Sequence, residues 1–254
     1  MSQALLEREE IPFEPLNHIE SAADRLEGAG PSEILAWAFE EFAGRGIAIA
    51  TGFGAEGMAL IDIAVRIEPN PSVFFVDTEF LFPETYSLRD RVERRYGIEI
   101  KAVRTGLSPE HQAAVYGPAL WQRDPDLCCQ LRKLEPLREA LRGLDAWVTA
   151  IRRDQTAERA QARVVEWDAR WQLVKINPLA SWTRRDVWSY IAKNNVPYNP
   201  LHDQGYPSIG CTNCTRAAAR GEEERSGRWA GRAKTECGLH GGAQPLVLLS
   251  QSAQ

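Results

Sequence analysis

No run in this chain approaches the roughly 20 consecutive apolar residues that a membrane-spanning helix needs, so no such helix is expected. The opening twenty residues, MSQALLEREEIPFEPLNHIE, are acidic and lack both an apolar leader and a basic amphipathic pattern. Neither a secretory nor an organellar leader is expected, and the cytoplasm is the default compartment. Positive charge is in short supply. Thirty Lys and Arg stand against 35 Asp and Glu, for a formal net charge of −5, which argues against a general nucleic-acid coat. An anionic ligand would have to be held by a local basic patch working against the global charge. Gly-x-x-x-x-Gly-Lys-Ser/Thr does not occur, so no Walker-type phosphate loop is expected. Cysteine is scarce and odd in number, five in 254 residues. Disulfide frameworks belong to short secreted chains with paired cysteines, so that reading falls away too.

What the cysteines do have is order. Cys128 and Cys129 are adjacent, Cys211 and Cys214 form a Cys-x-x-Cys pair separated from them by 81 residues, and Cys237 stands alone in Glu236-Cys237-Gly238-Leu239-His240. Four thiols gathered around something, with one left to react, is the division this suggests. In a reducing compartment the four read as zinc ligands, iron–sulfur ligands or redox thiols. Zinc usually draws pairs from a Cys-x₂₋₄-Cys spacing. Adjacent side chains diverge on helix and strand alike, so Cys128 and Cys129 reach two irons of a larger cluster more easily than they share one ion.

The hydrophobic fraction of 44% and charged fraction of 26% are those of an ordinary globular protein with a sizeable core. Residues 1–45 read as a helical lead-in, with a helix opened by Pro31-Ser32-Glu33, Ser32 as its N-cap and Gly44 and Gly46 closing it. Residues 46–51 (GIAIAT) form a buried strand that runs into the turn Thr51-Gly52-Phe53-Gly54-Ala55-Glu56-Gly57 and a helix, an arrangement able to receive an anion. The strand 72–76 ends in Asp77-Thr78-Glu79, a polar cluster where open α/β sheets bind ligands. Helix 83–95, strand 98–103 and a short helix after Ser108 continue the alternation. It predicts an α/β fold with a doubly wound, mainly parallel sheet and right-handed crossovers. The helix from Pro125 carries Cys128 and Cys129 in its first turn, where its N-terminus and Arg132 and Lys133 favour thiolates, and Pro136 must kink or split it. Strand 146–151, the basic loop 152–159, a hairpin within 164–176 and helix 182–194 follow. From 46 to 215 the chain reads as one nucleotide-binding α/β domain. Residues 216–254 read as a basic, flexible C-terminal segment, with six cations against three acids between Arg216 and Lys234, and are able to act as an anion-gripping lid.

Taken together, Cys128-Cys129 followed by Leu131-Arg132-Lys133, the distant Cys211-x-x-Cys214, Ile151-Arg152-Arg153-Asp154-Gln155, Arg225-Ser226-Gly227-Arg228-Trp229 and Glu236-Cys237-Gly238-Leu239-His240 resemble the assimilatory adenylylsulfate reductases. These belong with the phosphoadenylylsulfate reductases, and the resemblance runs from about residue 46 to 242. It implies the adenine-nucleotide α-hydrolase-like, Rossmann-like fold, with the nucleophile on a flexible C-terminal tail. It implies a 4Fe–4S cluster on Cys128, Cys129, Cys211 and Cys214. Cys237 would attack the sulfur of adenosine 5′-phosphosulfate, and thioredoxin or a similar dithiol would release sulfite. Lys133, Arg152, Arg225, Arg228 and His240 match substrate-gripping positions, and Thr51, Gly52, Phe53 and Gly54 would face the nucleotide. No nucleic acid or membrane partner is implied; a homo-oligomer is, by the family's habit. The competing readings are the same chemistry on 3′-phosphoadenylylsulfate, a zinc-stabilised binding module with Cys237 incidental, and a nucleotide-activating sulfurtransferase acting on RNA. The acidic charge and the lack of an added RNA-binding domain disfavour the last.

Overall fold

In the computed structural model the described residues run from Phe13 to His240, except Arg220, Ala233 and Thr235. The first twelve residues of the lead-in and residues 241–254 of the C-terminal segment lie outside them. The lead-in forms helices α1 (Phe13–Leu26) and α2 (Pro31–Glu41). The N-cap of α2 is Gly30, with Pro31 in the first helical position. Ser32 therefore sits inside the first turn and is not the cap the sequence suggested; Pro31, which needs no N–H there, takes the first place in its stead.

The central unit then alternates as expected: β1 (Ile47–Ala50), α3 (Ala55–Val65), β2 (Val73–Val76), α4 (Pro83–Tyr96), β3 (Ile100–Val103) and α5 (Pro109–Tyr116). Two short helices, α6 (Leu120–Arg123) and α7 (Pro125–Cys129), lead through a π-helical turn, Gln130–Leu134, into α8 (Glu135–Leu141). The chain continues through β4 (Ala146–Val148), β5 (Val165–Asp168), β6 (Leu173–Ile176) and α9 (Arg184–Asn194). The six strands lie in the order β3-β2-β1-β4-β6-β5. All neighbours are parallel except β5, which returns antiparallel beside β6 as the expected hairpin. The order reverses between β1 and β4, which makes their carboxyl ends the switch-point crevice of a doubly wound sheet.

Both sheet faces are covered. Ile49, Val73, Phe75 and Val148 look toward α2, α3 and α9, while Ala48, Phe74 and Trp147 pack with Leu137 and Leu141 of α8. Helix α3 is buried on nearly every side, as an almost uniformly apolar helix must be, and this fixes its N-terminus below the crevice. Its one buried carboxylate, Asp62, accepts from Tyr96 Oη at 2.8 Å, Tyr190 Oη at 2.7 Å and Arg66 Nε at 3.0 Å, tying α3 to α4 and α9. Asp62→Ala leaves these donors without their acceptor. We expect a loss of roughly 3 kcal/mol, seen as a lower urea midpoint at unchanged slope. An unmoved midpoint would mean that this knot contributes nothing.

Pro136 does split its helix, by a specific device. Lacking an N–H, it cannot bond to Arg132, and the chain widens there so that Glu135 N–H reaches back five residues to Gln130. The widened turn carries Arg132 and Lys133.

Candidate active site

All four paired cysteines line one small cavity, together with Thr78, Phe80, Trp121 and Lys133. Cys128 and Cys129 come from the end of α7, and Cys211 and Cys214 from the loop after α9, which is held to the end of β2 by the Thr212 N–H to Phe80 carbonyl bond at 2.8 Å. The Thr78 hydroxyl and the Cys211 sulfur lie 3.3 Å apart. Arg132, fully buried, secures this region: its guanidinium donates to the Thr78 carbonyl at 3.0 Å, Glu79 at 3.0 Å and Gln112 at 2.6 Å, and lies over the Phe80 ring. Arg132 is thus a structural pin, and Asp77 is one too. Asp77 is wholly buried and bound by Tyr86 at 2.7 Å and Arg104 at 2.8 Å.

At Cys128 and Cys129 burial opposes the thiolates that a helix N-terminus and neighbouring cations were expected to favour. Burial, reinforced by the other cysteines of the cavity, pushes the Cys128 thiol up to about 12. Burial pushes Cys129 up to about 11 despite Lys133. Helix α7 has five residues, too short to develop much of a dipole, and desolvation outweighs it. All five cysteines are free thiols. Among the described residues no three Cys, His, Asp or Glu side chains form a single-ion site.

A larger cavity of about 220 Å³ opens at the carboxyl ends of β1, β2 and β4, the switch-point crevice. Thr78, Lys133 and Cys211 line both cavities and form the wall between them. Lys133, Arg159, Arg225 and Arg228 line the larger cavity against the carboxylates of Glu56 and Glu224, giving the local positive excess that the net charge had hidden. Cys237 lines it as well, half-buried. Burial alone would raise its thiol, but Lys133, the Leu239 backbone N–H and Arg228 outweigh burial and bring it below its ordinary value. For Lys133 the balance runs the other way: burial opposes the charge, yet Cys211, Cys129 and Cys237 together raise the ammonium above its usual range.

The basic C-terminal segment folds back on the cysteine loop. Arg216 N–H bonds the Gly227 carbonyl at 3.0 Å, and Trp229 N–H bonds the Cys214 carbonyl at 2.9 Å. The buried Trp229 ring has Arg228 at 4.6 Å, Lys234 at 5.5 Å and Lys133 at 5.9 Å from its centroid. Gly210 leaves the room Arg228 occupies, since a Cβ there would stand 2.3 Å from its Nη2. Gly238, at φ +83°, turns the chain so that His240 stacks on Trp147 with centroids 5.6 Å apart. Burial first, then Arg159, Lys175 and Arg225, holds His240 well below the usual imidazole range, so at neutral pH it offers hydrogen bonds and no charge.

Of the residues expected to contact substrate, the larger cavity gathers Lys133, Arg225, Arg228, His240, Gly52 and Gly54. The Phe53 side chain does not line the cavity. It is 1% exposed, packed edge-on against Phe75 at 5.1 Å, and only the residue's backbone, at φ 57°, belongs to the turn. The Thr51 side chain is buried too, and its hydroxyl accepts from Phe53 N–H at 3.1 Å. Arg152 is fully buried behind the cavity wall, bound by Glu56 at 3.0 Å, Glu224 at 3.0 Å and Asp154, so no arm of it is idle. Sequence reasoning missed Arg159, Glu56, Glu224 and His202 as wall residues. Arg159, last of the basic loop 152–159, was within reach, because two short helical turns bring it back to Gln155, which also accepts from Arg152 N–H.

Fold and site together define a thiol-bearing, anion-receiving protein on a doubly wound sheet. The chain belongs to the phosphoadenosine phosphosulfate reductase domain family, whose model matches residues 46–217. It is 47% identical over 212 residues to adenosine 5′-phosphosulfate reductase of Lysinibacillus sphaericus, covering 83% of this chain and 91% of that one. It is 48% identical over 225 residues to phosphoadenosine 5′-phosphosulfate reductase of Gloeobacter violaceus, covering 87% and 93%. The crystal structure of phosphoadenylyl-sulfate reductase from Candida auris, a phosphate complex, superposes with a TM-score of 0.69 at 33% identity, covering 79% of this chain and 97% of that one. The fold is the adenine-nucleotide α-hydrolase-like one that the motifs implied. Among the described residues no helix is long and apolar enough to cross a membrane.

Proposed function

We propose that this chain reduces adenosine 5′-phosphosulfate to sulfite and AMP, an oxidoreductase step of sulfate assimilation toward cysteine. The observation that carries the reading is a thiol of lowered pKa, Cys237, in the same crevice as Lys133, Arg225, Arg228 and Arg159. A thiolate meets a dianionic sulfonucleotide only where cations neutralise it, and this crevice is where the chain concentrates them. In the first half-reaction the Cys237 sulfur bonds to the sulfate sulfur. The bond from that sulfur to the bridging phosphate oxygen breaks, and AMP leaves with the electron pair. In the second, a thiolate of an external dithiol attacks the Cys237 sulfur, sulfite leaves with the electron pair, and the second thiol breaks the resulting mixed disulfide, closing the dithiol to a disulfide and releasing Cys237 as thiolate. The two electrons come from the dithiol, which we take to be thioredoxin or a protein like it, in the cytoplasm.

The cysteine cavity fits a 4Fe–4S cluster, because four free cysteines line one common space and the adjacent Cys128 and Cys129 diverge to two irons more easily than they share one ion. Cys128, Cys129, Cys211 and Cys214 would hold it. When bound, it would fix the four thiolates and set the charge behind Lys133. Both half-reactions are carried by Cys237, the cations and the dithiol. A second reading, reduction of the 3′-phosphorylated nucleotide, draws support from the similarity to the Gloeobacter protein.

The test is one preparation and two assays. Anaerobically purified protein should hold about four irons and four sulfides per chain. It should release sulfite from adenosine 5′-phosphosulfate with a reduced dithiol, with higher kcat/KM than on the 3′-phosphorylated nucleotide. Zinc without sulfide would remove the cluster, and no sulfite from either nucleotide would remove the reductase.

A further inference from the structure

Glu236 is an odd neighbour for a nucleophile in an anion-receiving crevice. Its carboxylate raises the Cys237 thiol and repels the ligand Cys237 is read to attack, so its place there asks for a function of its own. The surroundings supply one. Glu236 Oε2 accepts from Arg159 Nη2 at 3.0 Å and from Arg225 Nη2 at 3.1 Å. The side chain is 11% exposed, and Arg159 beneath it only 8%. Gln155 steadies the far side of Arg159, accepting from its Nη1 at 2.6 Å, and also accepts from Arg152 N–H at 3.1 Å. One carboxylate thus joins three pieces of chain: the basic loop after β4, the folded-back segment carrying Arg225, and the tail carrying Cys237. Arg159 and Arg225 both line the crevice, so an anion entering it shares these cations with Glu236.

We propose that Glu236 is a positioning residue, a latch that holds the Cys237 tail in the crevice through Arg159 and Arg225. It does not touch the reacting atoms. In the ligand-free chain it occupies the cation pair and keeps Cys237 inward beside Lys133. A half-buried thiol in a crevice cannot meet a dithiol carried on another protein, so the tail has to leave for the second half-reaction, and Glu236 must let go. The latch therefore favours sulfonation of Cys237 and opposes its reduction.

The experiment uses the full-length protein with its cluster intact, comparing wild type, Glu236→Gln, Arg159→Gln and the double variant. In the absence of nucleotide, alkylation of Cys237 by a bulky neutral maleimide, mapped by peptide mass, should accelerate about tenfold in each single variant, the size of one lost charge-assisted hydrogen bond. The double variant should match the singles, because both substitutions open the same contact. This readout does not depend on the proposed reaction. The second readout rests on it: in Glu236→Gln single-turnover sulfonation of Cys237 should slow, while reduction of preformed S-sulfocysteine by the dithiol should hold or quicken. Unchanged alkylation in both single variants overturns the latch, as does a parallel fall of both half-reactions. If no variant or wild type forms S-sulfocysteine, the reaction reading fails, and the alkylation result still decides the latch.

Discussion

Cys237→Ser is expected to lower sulfite release by at least about 10⁴-fold, the scale on which loss of a nucleophile is felt. The reason is chemical on both halves. A serine hydroxyl is not ionised near neutral pH and attacks the sulfate sulfur poorly. Were it to succeed, it would leave an O-sulfo group with no sulfur–sulfur bond for a dithiol to cleave. Nucleotide affinity should change little, because the cations lining the crevice remain, and iron content should not change, because Cys237 lies outside the four-cysteine cavity. The checks are sulfite release, equilibrium binding of AMP, and iron analysis on one preparation. Wild type given nucleotide without dithiol should gain one SO₃ on the Cys237 peptide, and the variant none. Retention of a tenth of the activity would move the nucleophile elsewhere, with Cys211 the first candidate as the other cysteine facing the crevice.

Lys133→Ala is expected to lower kcat/KM by about 10² to 10³ while leaving the iron content as it was. Lys133 is 8% exposed, so its charge acts through little water; a unit charge about 4 Å away is worth roughly 4 kcal/mol at the dielectric of such sites. Its loss also removes the strongest influence lowering the Cys237 thiol. The pH midpoint of Cys237 alkylation should accordingly rise in the variant. At a fixed pH below that midpoint a smaller fraction is thiolate, and alkylation slows. That direction is opposite to Glu236→Gln, where the thiol is freed, so one assay separates the two residues. If turnover and iron fall together in Lys133→Ala, then Lys133 is structural and its place in the shared wall has another meaning.

The order of strands and helices was legible because each element carries its own local signal. Apolar runs of four to six residues marked β1, β2 and β4, while Ser108 and Pro125 marked helix starts. Boundaries drifted by one to three residues, as at β4, where the apolar run to Ile151 outlasts the pairing with β1 and β6. Ser32 looked like a cap because its side chain can be one; the backbone bonds from Glu33 and Ile34 to the Gly30 carbonyl put the cap two residues earlier. The π turn at 130–134 was half legible. Pro136 announces a break, but only packing selects a widened turn over a kink.

By itself, the sequence determined the doubly wound sheet, the grouping of four cysteines apart from one, and three of the crevice's cations, Lys133, Arg225 and Arg228. Those depend on residue type, spacing and short-range stereochemistry, which a chain displays along its length. The tertiary structure alone decided how the charges are shared. Whether a guanidinium faces the crevice held by neutral groups, as Arg228 is by Ser208 and the Ile209 carbonyl, or is saturated by three carboxylates, as Arg152 is, depends on groups up to about a hundred residues away. The same holds for the pairing of Glu236 with Arg159 and for the burial that raises the Cys128 and Cys129 thiols. Desolvation and Coulomb energy are set by what surrounds a group in space, and no local pattern encodes that.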